Sequence, residues 1–297
     1  VELIVVVVPC TVKLPVIVAL PATLILAAVI SSLLSEPLTR VIGQPVVVDN
    51  KPGASGNTAY QYVAKAKPDG YTLLISYSGY HVGNPSLFDK LPWDPIKDFS
   101  PIALLTVSTN VIAVHPSVPV NNLKEFIAYA KANPGKLNYG SAGNGGISHL
   151  VPEMLKSETG IFMVHIPFKG SAPAFTDLIA GHVQFMAESV PQAAAYAKQG
   201  KVKALAVTSA KRNPALPNTP TVIETGVASL DVVGFYGILA PKGTPPEVVN
   251  KLSQAFKETL DSPDIQKRMI DQGADPAYLN AEQFTKFLAN EMPRWAK

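Results

Sequence analysis

Residues 136–155, KLNYGSAGNGGISHLVPEML, constrain this chain more than any comparable stretch: they read as a short strand, a glycine-rich turn and the opening of an amphipathic helix. Ile147, Leu150, Val151, Met154 and Leu155 stand at i, i+3, i+4, i+7 and i+8, the spacing of one buried helical face. The turn at 140–146, GSAGNGG, lacks bulk and carries one hydroxyl and one amide side chain. Such a turn leaves N–H groups of the helix start pointing outward, where the partial positive charge of the helix favours an anion. The competing reading is a turn that needs positive φ angles and binds nothing. A dinucleotide site is not indicated. The run Gly143-x-Gly145-x-x-Ser148 lacks the third glycine, and the acidic residue due some way beyond it is replaced by FMVHIPF at 162–168. Phosphate-loop, HExxH and GxSxG patterns are absent from the chain.

The segment VHIPFKGSAPAFTDLIAG at 164–181 repeats the same strand–turn–helix grammar. Ser171 is the expected N-cap, Pro173 fits the first turn, Gly181 supplies the stop, and Phe175, Leu178 and Ile179 form the buried stripe. Two successive Gly- and Ser-rich turns of this kind predict adjacent βα units opening on one edge of a sheet, where ligands of open α/β sheets bind. Glu188, after the strand expected at 183–187, falls on that edge too. Facing a pocket, it would repel a bare carboxylate or accept from an ammonium or amide group; otherwise it is turned to solvent or paired with a lysine. Tyr77, Tyr80 and Phe168 are candidates for stacking on an aromatic ligand, and equally for plain walls.

Further along, TNVIAVH at 109–115 is a buried-strand run, and Asn122-x-x-Glu125 is a capping-box start for a helix carrying Leu123, Phe126, Ile127 and Ala130. Strands are expected at 137–140, 164–166, 183–187, 202–208 and 233–240, and helices at 246–261, 263–272 and 281–296. The alternation in the middle of the chain predicts mostly parallel pairing. A second lobe at 104–221 is expected, inserted between the halves 1–103 and 222–297 of the first, so that the chain crosses a hinge twice.

At 297 residues the chain has room for two α/β lobes with separate cores. A net charge of +3 without a basic cluster speaks against a nucleic-acid partner. Cys10 is alone, which excludes an intramolecular disulfide and a cysteine-based zinc site, and no cleavable leader is read, so a mature form is expected. The four arginines, Arg40, Arg212, Arg268 and Arg294, all lie outside the candidate turns, so a bidentate guanidinium clamp is not expected. Lys169 is the cation of those turns, facing either ligand or solvent. His81, His115, His149, His165 and His182 show no spacing for a nucleophile–base pair or a metal cluster, so no catalytic residue, metal or cofactor is expected. His149 is read as a packing residue first and a ligand contact second. Pro152 cannot donate to the carbonyl of residue 148, so the helix starts late or has an irregular first turn.

Several stretches together resemble the periplasmic solute-binding proteins of tripartite tricarboxylate transporters, the Bordetella-uptake-gene type. They are GQPVVVDNKPGASGN (43–57), KPDGYTLLISYSG (67–79), LPWDPIKDFSPIALL (91–105), LNYGSAGNGGISHL (137–150), HIPFKGSAPAFTDLIAGHV (165–183), KVKALAVTSAKRNPALPNTPTVIETG (201–226) and GILAPKGTPPEVVNKL (237–252). The resemblance implies a two-lobed, type II periplasmic-binding-protein α/β fold with a ligand cleft between the lobes. It also implies a periplasmic monomer that closes on a small organic carboxylate, whether dicarboxylate, amino acid or aromatic acid, and delivers it to a permease of one large and one small subunit. A sensory module for a signalling partner, and an enzyme on the same fold, are the alternatives.

The resemblance sets the turn after residues 73–77 against the ligand, adding Ser76, Ser78, Gly79 and Tyr80 to Ser141, Ala142, Gly143, Gly146, Ser148, His149, Lys169, Gly170 and Glu188 as candidate ligand-binding residues. The turn at 49–56 is expected to be structural. The first forty-two residues depart from the family pattern. Residues 2–9 fit its first strand and 25–42 its first helix, stopped at Gly43, but 10–23 carry no Pro-Gly-Gly ligand loop. A transmembrane or signal segment is disfavoured there by Lys13, Pro9, Pro15 and Pro21 and by the missing basic flank. A variant loop and an imperfectly assigned stretch both remain.

Overall fold

A computed structural model describes residues 4–5, 16–20, 25–51 and 56–295. Cys10 and the rest of the 10–23 stretch outside 16–20, together with residues 52–55 of the turn at 49–56, lie outside the described residues.

The chain divides into two compact units: residues 1–107 with 235–297, and residues 108–234. The first opens with β1 (Ile4–Val5), β2 (Val16–Leu20), α1 (Ile25–Ile42), β3 (Val46–Asn50), α2 (Asn57–Ala64) and β4 (Thr72–Tyr77). A π-helical turn, Gly79–Gly83, leads into α3 (Asn84–Leu87), and β5 (Phe99–Val114) follows. β2 lies parallel to β3 and β4, with Val18 opposite Val48 and Leu73. The parallel strand leading into α1 is therefore Val16–Leu20 and not the stretch 2–9, whose described part, β1, pairs antiparallel with β3 and β4. α1 ends where expected: Gly43 has φ 70° and its N–H donates to the Thr39 carbonyl at 3.0 Å.

In the second unit come α4 (Leu123–Ala132), β6 (Asn138–Ser141), α5 (Ile147–Thr159), β7 (Val164–Pro167), α6 (Ser171–Ala180), β8 (Phe185–Ser189), α7 (Val190–Lys198), β9 (Lys203–Val207) and α8 (Val222–Thr225). β7, β6 and β8 are adjacent and parallel, as the alternation predicts. β5 runs the other way, so β8 and β9 pair with it antiparallel. The core of this unit packs Ala174, Phe175 and Leu178 of α6 and Val190, Ala193 and Ala194 of α7 against Val111, Ala113 and Met186 of the sheet. α4 is capped by Asn122, whose Oδ1 accepts from the Glu125 N–H at 2.9 Å. The Glu125 carboxylate reaches back one residue further than a simple capping box, to the Asn121 N–H at 2.7 Å.

The first unit is completed by β10 (Val233–Pro241), α9 (Pro246–Leu260), α10 (Pro263–Asp271), β11 (Asp275–Leu279) and α11 (Ala281–Trp295). The chain leaves this unit within β5 and re-enters it within β10. β10 pairs antiparallel with β4, Gly237 opposite Ser76, and β11 pairs antiparallel with β5. Glycine at 237 is required by close approach: a Cβ there would stand 2.3 Å from the Phe284 ring and 2.9 Å from the Ala103 carbonyl oxygen.

Candidate functional site

Three βα turns share one edge of the second unit. β6, β7 and β8 are parallel neighbours, and each feeds directly into a helix, α5, α6 and α7 in turn. The N-cap residues are Gly146, Gly170 and Ser189, and no side chain caps any of these helices. Ser171, expected as the cap of α6, is instead its first helical residue. The cap position has φ 112°, a conformation that a Cβ disfavours, and glycine occupies it. Three helix starts without a side-chain cap therefore line the carboxyl edge of three adjacent strands, each carrying partial positive charge, although Pro173 of α6 and Pro191 of α7 have no N–H to offer and the His149 N–H of α5 is bonded to the Gly146 carbonyl.

The 141–149 turn is braced by its own side chains. Ser148 Oγ accepts from the Ala142 N–H at 2.9 Å, Ser141 Oγ from the Gly143 N–H at 3.2 Å, and His149 Nδ1 from the Gly145 N–H at 3.2 Å. Gly146, at the cap, takes both the His149 and Leu150 N–H groups on its carbonyl, a tightened first turn. The second turn is zipped to the first: the Phe168 N–H donates to the Ser141 carbonyl at 2.9 Å and the Gly170 N–H to the Ala142 carbonyl at 3.2 Å. Gly143 and Gly146 are partly exposed, Gly170 is buried and Lys169 is exposed.

Beneath the turn stands a column of rings that the sequence reading did not assemble. Tyr139, His165 and His149 stack with centroid separations of 4.7 and 4.4 Å. Glu153 accepts from the Tyr139 hydroxyl at 2.5 Å and pairs with Lys156 at 2.7 Å. Tyr139 and His165 are register partners on β6 and β7. Their equivalent places in the two repeated strand–turn–helix units were the available signal. Burial holds both imidazoles below the ordinary histidine value, His165 at about 4. His165 Nε2 lies 2.6 Å from Ser141 Oγ. That is nucleophile–base spacing, yet the Ser141 side chain is fully buried and already holds the turn.

Glu188, at the end of β8, is 94% shielded, its relative exposure being 6%. Oε1 accepts from the Ser189 N–H at 2.7 Å, whereas Oε2 has no hydrogen-bond partner among the described residues. Burial raises its carboxyl above the ordinary value, opposed by the backbone and hydroxyl of Ser189 and the hydroxyl of Ser171.

The candidates of the first unit sit inside it. Ser76 Oγ donates to the Gly237 carbonyl at 3.3 Å, and Ser78 Oγ accepts from the Phe235 N–H at 3.2 Å. The residues after β4 form a π-helical turn and not an open hydroxyl turn: Gly79 and Tyr80 are buried in it, Tyr80 edge-on to Tyr77 and packed over Gly56. Among the described residues no cluster of His, Cys, Asp or Glu is arranged to hold a metal, and no helix is long and apolar enough to cross a membrane.

Comparison with known proteins gives a consistent picture. The family described as "Tripartite tricarboxylate transporter family receptor" matches residues 30–297. Protein BugT of Bordetella pertussis is 33% identical over 269 residues, covering 90% of this chain and 82% of BugT. Among solved structures, Rpa4515 of R. palustris with adipate superposes with a TM-score of 0.82 at 34% identity, covering 90% of each chain. MatC from Rhodopseudomonas palustris with bound malate gives 0.81 at 32% identity, covering 91% of this chain and 93% of MatC.

Proposed function

Because this chain belongs to the tripartite tricarboxylate transporter receptor family, whose members are substrate-binding receptors and not enzymes, we propose that it captures a small dicarboxylate in the periplasm and presents it to the membrane subunits of a tripartite transporter, one large and one small. Adipate in Rpa4515 and malate in MatC support the ligand class. The observation that carries the proposal is the row of three helix starts without a side-chain cap, α5, α6 and α7, on one sheet edge. Each contributes roughly 0.3–1 kcal/mol toward an anion, rising to about 2 when partly buried. Together they supply roughly 1–3 kcal/mol, about 6 at the upper figure, and hydrogen bonds to bound ligand and bridging water supply the remainder of the roughly −8 kcal/mol of micromolar binding.

Backbone recognition also agrees with where the arginines are. Arg40, Arg212, Arg268 and Arg294 pair with Glu36, Glu224, Asp264 and Glu291, and none of them belongs to a βα turn. In this reading Ser141, Ser148 and His149 hold the turn in shape. The Gly143 and Gly170 N–H groups are taken up by Ser141 Oγ and the Ala142 carbonyl, so these glycines shape the backbone while the N–H groups of Asn144, Gly146 and Ser171 meet the ligand. Capture proceeds as a monomer by hinge motion of the two units.

Thermal-shift measurements against malate, succinate, adipate, benzoate, acetate and L-aspartate test the proposal. A ligand bound by the folded state alone stabilises by RT ln(1 + [L]/Kd), about 2.7 kcal/mol at a hundredfold excess over Kd. A dicarboxylate is expected to raise Tm in that concentration-dependent way and to lower the radius of gyration in solution scattering. No shift with any member of the panel overturns the ligand class.

A further inference from the structure

Glu188 is an anomaly in a site built to attract anions. It lies on the same edge as the helix starts, near Ser171 and Ser189, as a buried carboxyl with Oε1 bonded and Oε2 without a hydrogen-bond partner among the described residues. An ionised Glu188 would occupy the electropositive edge itself. A ligand carboxylate arriving there would then share a dry site with a second negative charge, and two such groups do not both stay ionised. A neutral Glu188 resolves both problems: its Oε2 becomes a donor, and the ligand supplies the acceptor that the protein lacks.

We propose that Glu188 is protonated in the ligand-bound protein and donates from Oε2 to a carboxylate of the ligand, so that binding takes up a proton from solvent wherever the free protein holds Glu188 ionised. This rests on the carboxylate reading above and adds the protonation state and a specificity-determining residue to it. The groups acting on Glu188 are Ser189 and Ser171, neither of them charged. The elements packed on β8 carry His149, Glu153, Lys156 and Glu158 on α5, Asp177 on α6, Tyr196 and Lys198 on α7 and Tyr139 on β6. None of these enters the electrostatics of Glu188. Burial already favours the neutral form in the free protein.

The test uses the full chain and the panel member that stabilises it most. The side-chain carboxyl of Glu188, assigned by comparison with Glu188→Gln, is titrated by carbon-13 NMR with and without that compound. Its midpoint is expected above the ordinary carboxylate range in the free protein and higher still when the compound is bound. Above the free-state midpoint the affinity of the wild-type protein should fall toward tenfold per pH unit, with up to one proton taken up in calorimetry across buffers of different ionisation enthalpy. Glu188→Gln, a neutral stand-in, should bind with a flat pH profile. A bound compound that leaves the midpoint unmoved overturns the proposal alone, as does a Glu188→Gln protein that no longer binds. The latter outcome would mark Glu188 as a charged acceptor for an ammonium group. A panel with no stabilising member overturns the ligand reading and this proposal together.

Discussion

Ser148 illustrates how a hydroxyl can serve a binding turn without touching what is bound. Its Oγ is the acceptor for the Ala142 N–H at 2.9 Å, and the residue is largely buried. Ser148→Ala removes that acceptor and leaves a part-buried N–H without its partner, which costs about 1–2 kcal/mol. Chemical denaturation should show this loss directly. The dicarboxylate affinity should fall as well, because the 142–146 backbone is then free to leave the geometry that presents its amides. A variant as stable as the wild type would show that the Ala142 N–H finds another partner. Thr221 and Gly237 probe other terms.

Elements are held by local devices of different visibility. α8 opens with a full capping box, Thr221 Oγ1 accepting from the Glu224 N–H at 3.0 Å and Glu224 accepting from the Thr221 N–H at 2.8 Å. Thr221→Ala is expected to cost about 1 kcal/mol by denaturant titration. Gly237→Ala should cost more, about 1–3 kcal/mol, since the added methyl collides with the Phe284 ring and with a backbone oxygen that cannot swing aside. The first device is readable in TPTVIET; the second is not, because Gly237 and Phe284 are far apart in sequence. The same division runs through the candidate site. The βα turns at 140–147 and 167–171 follow from glycine, serine and apolar spacing, so the strands and helices around them were legible. Ser171 was misplaced by one position because the cap of α6 is chosen by a backbone angle and not by a hydroxyl. β11 (Asp275–Leu279), with Pro276 and only intermediate burial, has no alternation to betray it, and its pairing with β5 alone makes it a strand. The column of Tyr139, His165 and His149 depends on the register of β6 with β7, which residue order alone does not supply.

Across the whole molecule, buried histidines set the response to acid. His81 is fully buried among Tyr60, Trp93 and Phe99, and burial pushes its imidazole down to about 4, opposed by the Pro95 backbone. The unfolded chain binds the proton near 6.5 and the folded chain only near 4, so stability is full above about pH 6.5 and is lost as the pH falls between those values. The shift corresponds to roughly 3 kcal/mol. His149 and His165 are displaced in the same direction and add to the same slope, though His165 is partly solvated and screened. Denaturation midpoints measured from pH 7.5 to pH 4.5 should decline over this window, and His81→Phe should flatten the decline. A wild-type profile without slope there would mean that His81 is solvated or protonated in the folded protein.

Because residues 108–234 form one uninterrupted segment while their companion unit is assembled from both ends of the chain, synthesis is staggered. The backbone that Ser76 bonds to at Gly237 emerges 161 residues after it. The inner segment is complete while the outer sheet still exposes the β4 edge awaiting β10, the kind of unpaired strand that aggregates when left waiting. A nascent chain of this design needs an escort through its last sixty or so residues more than through its middle.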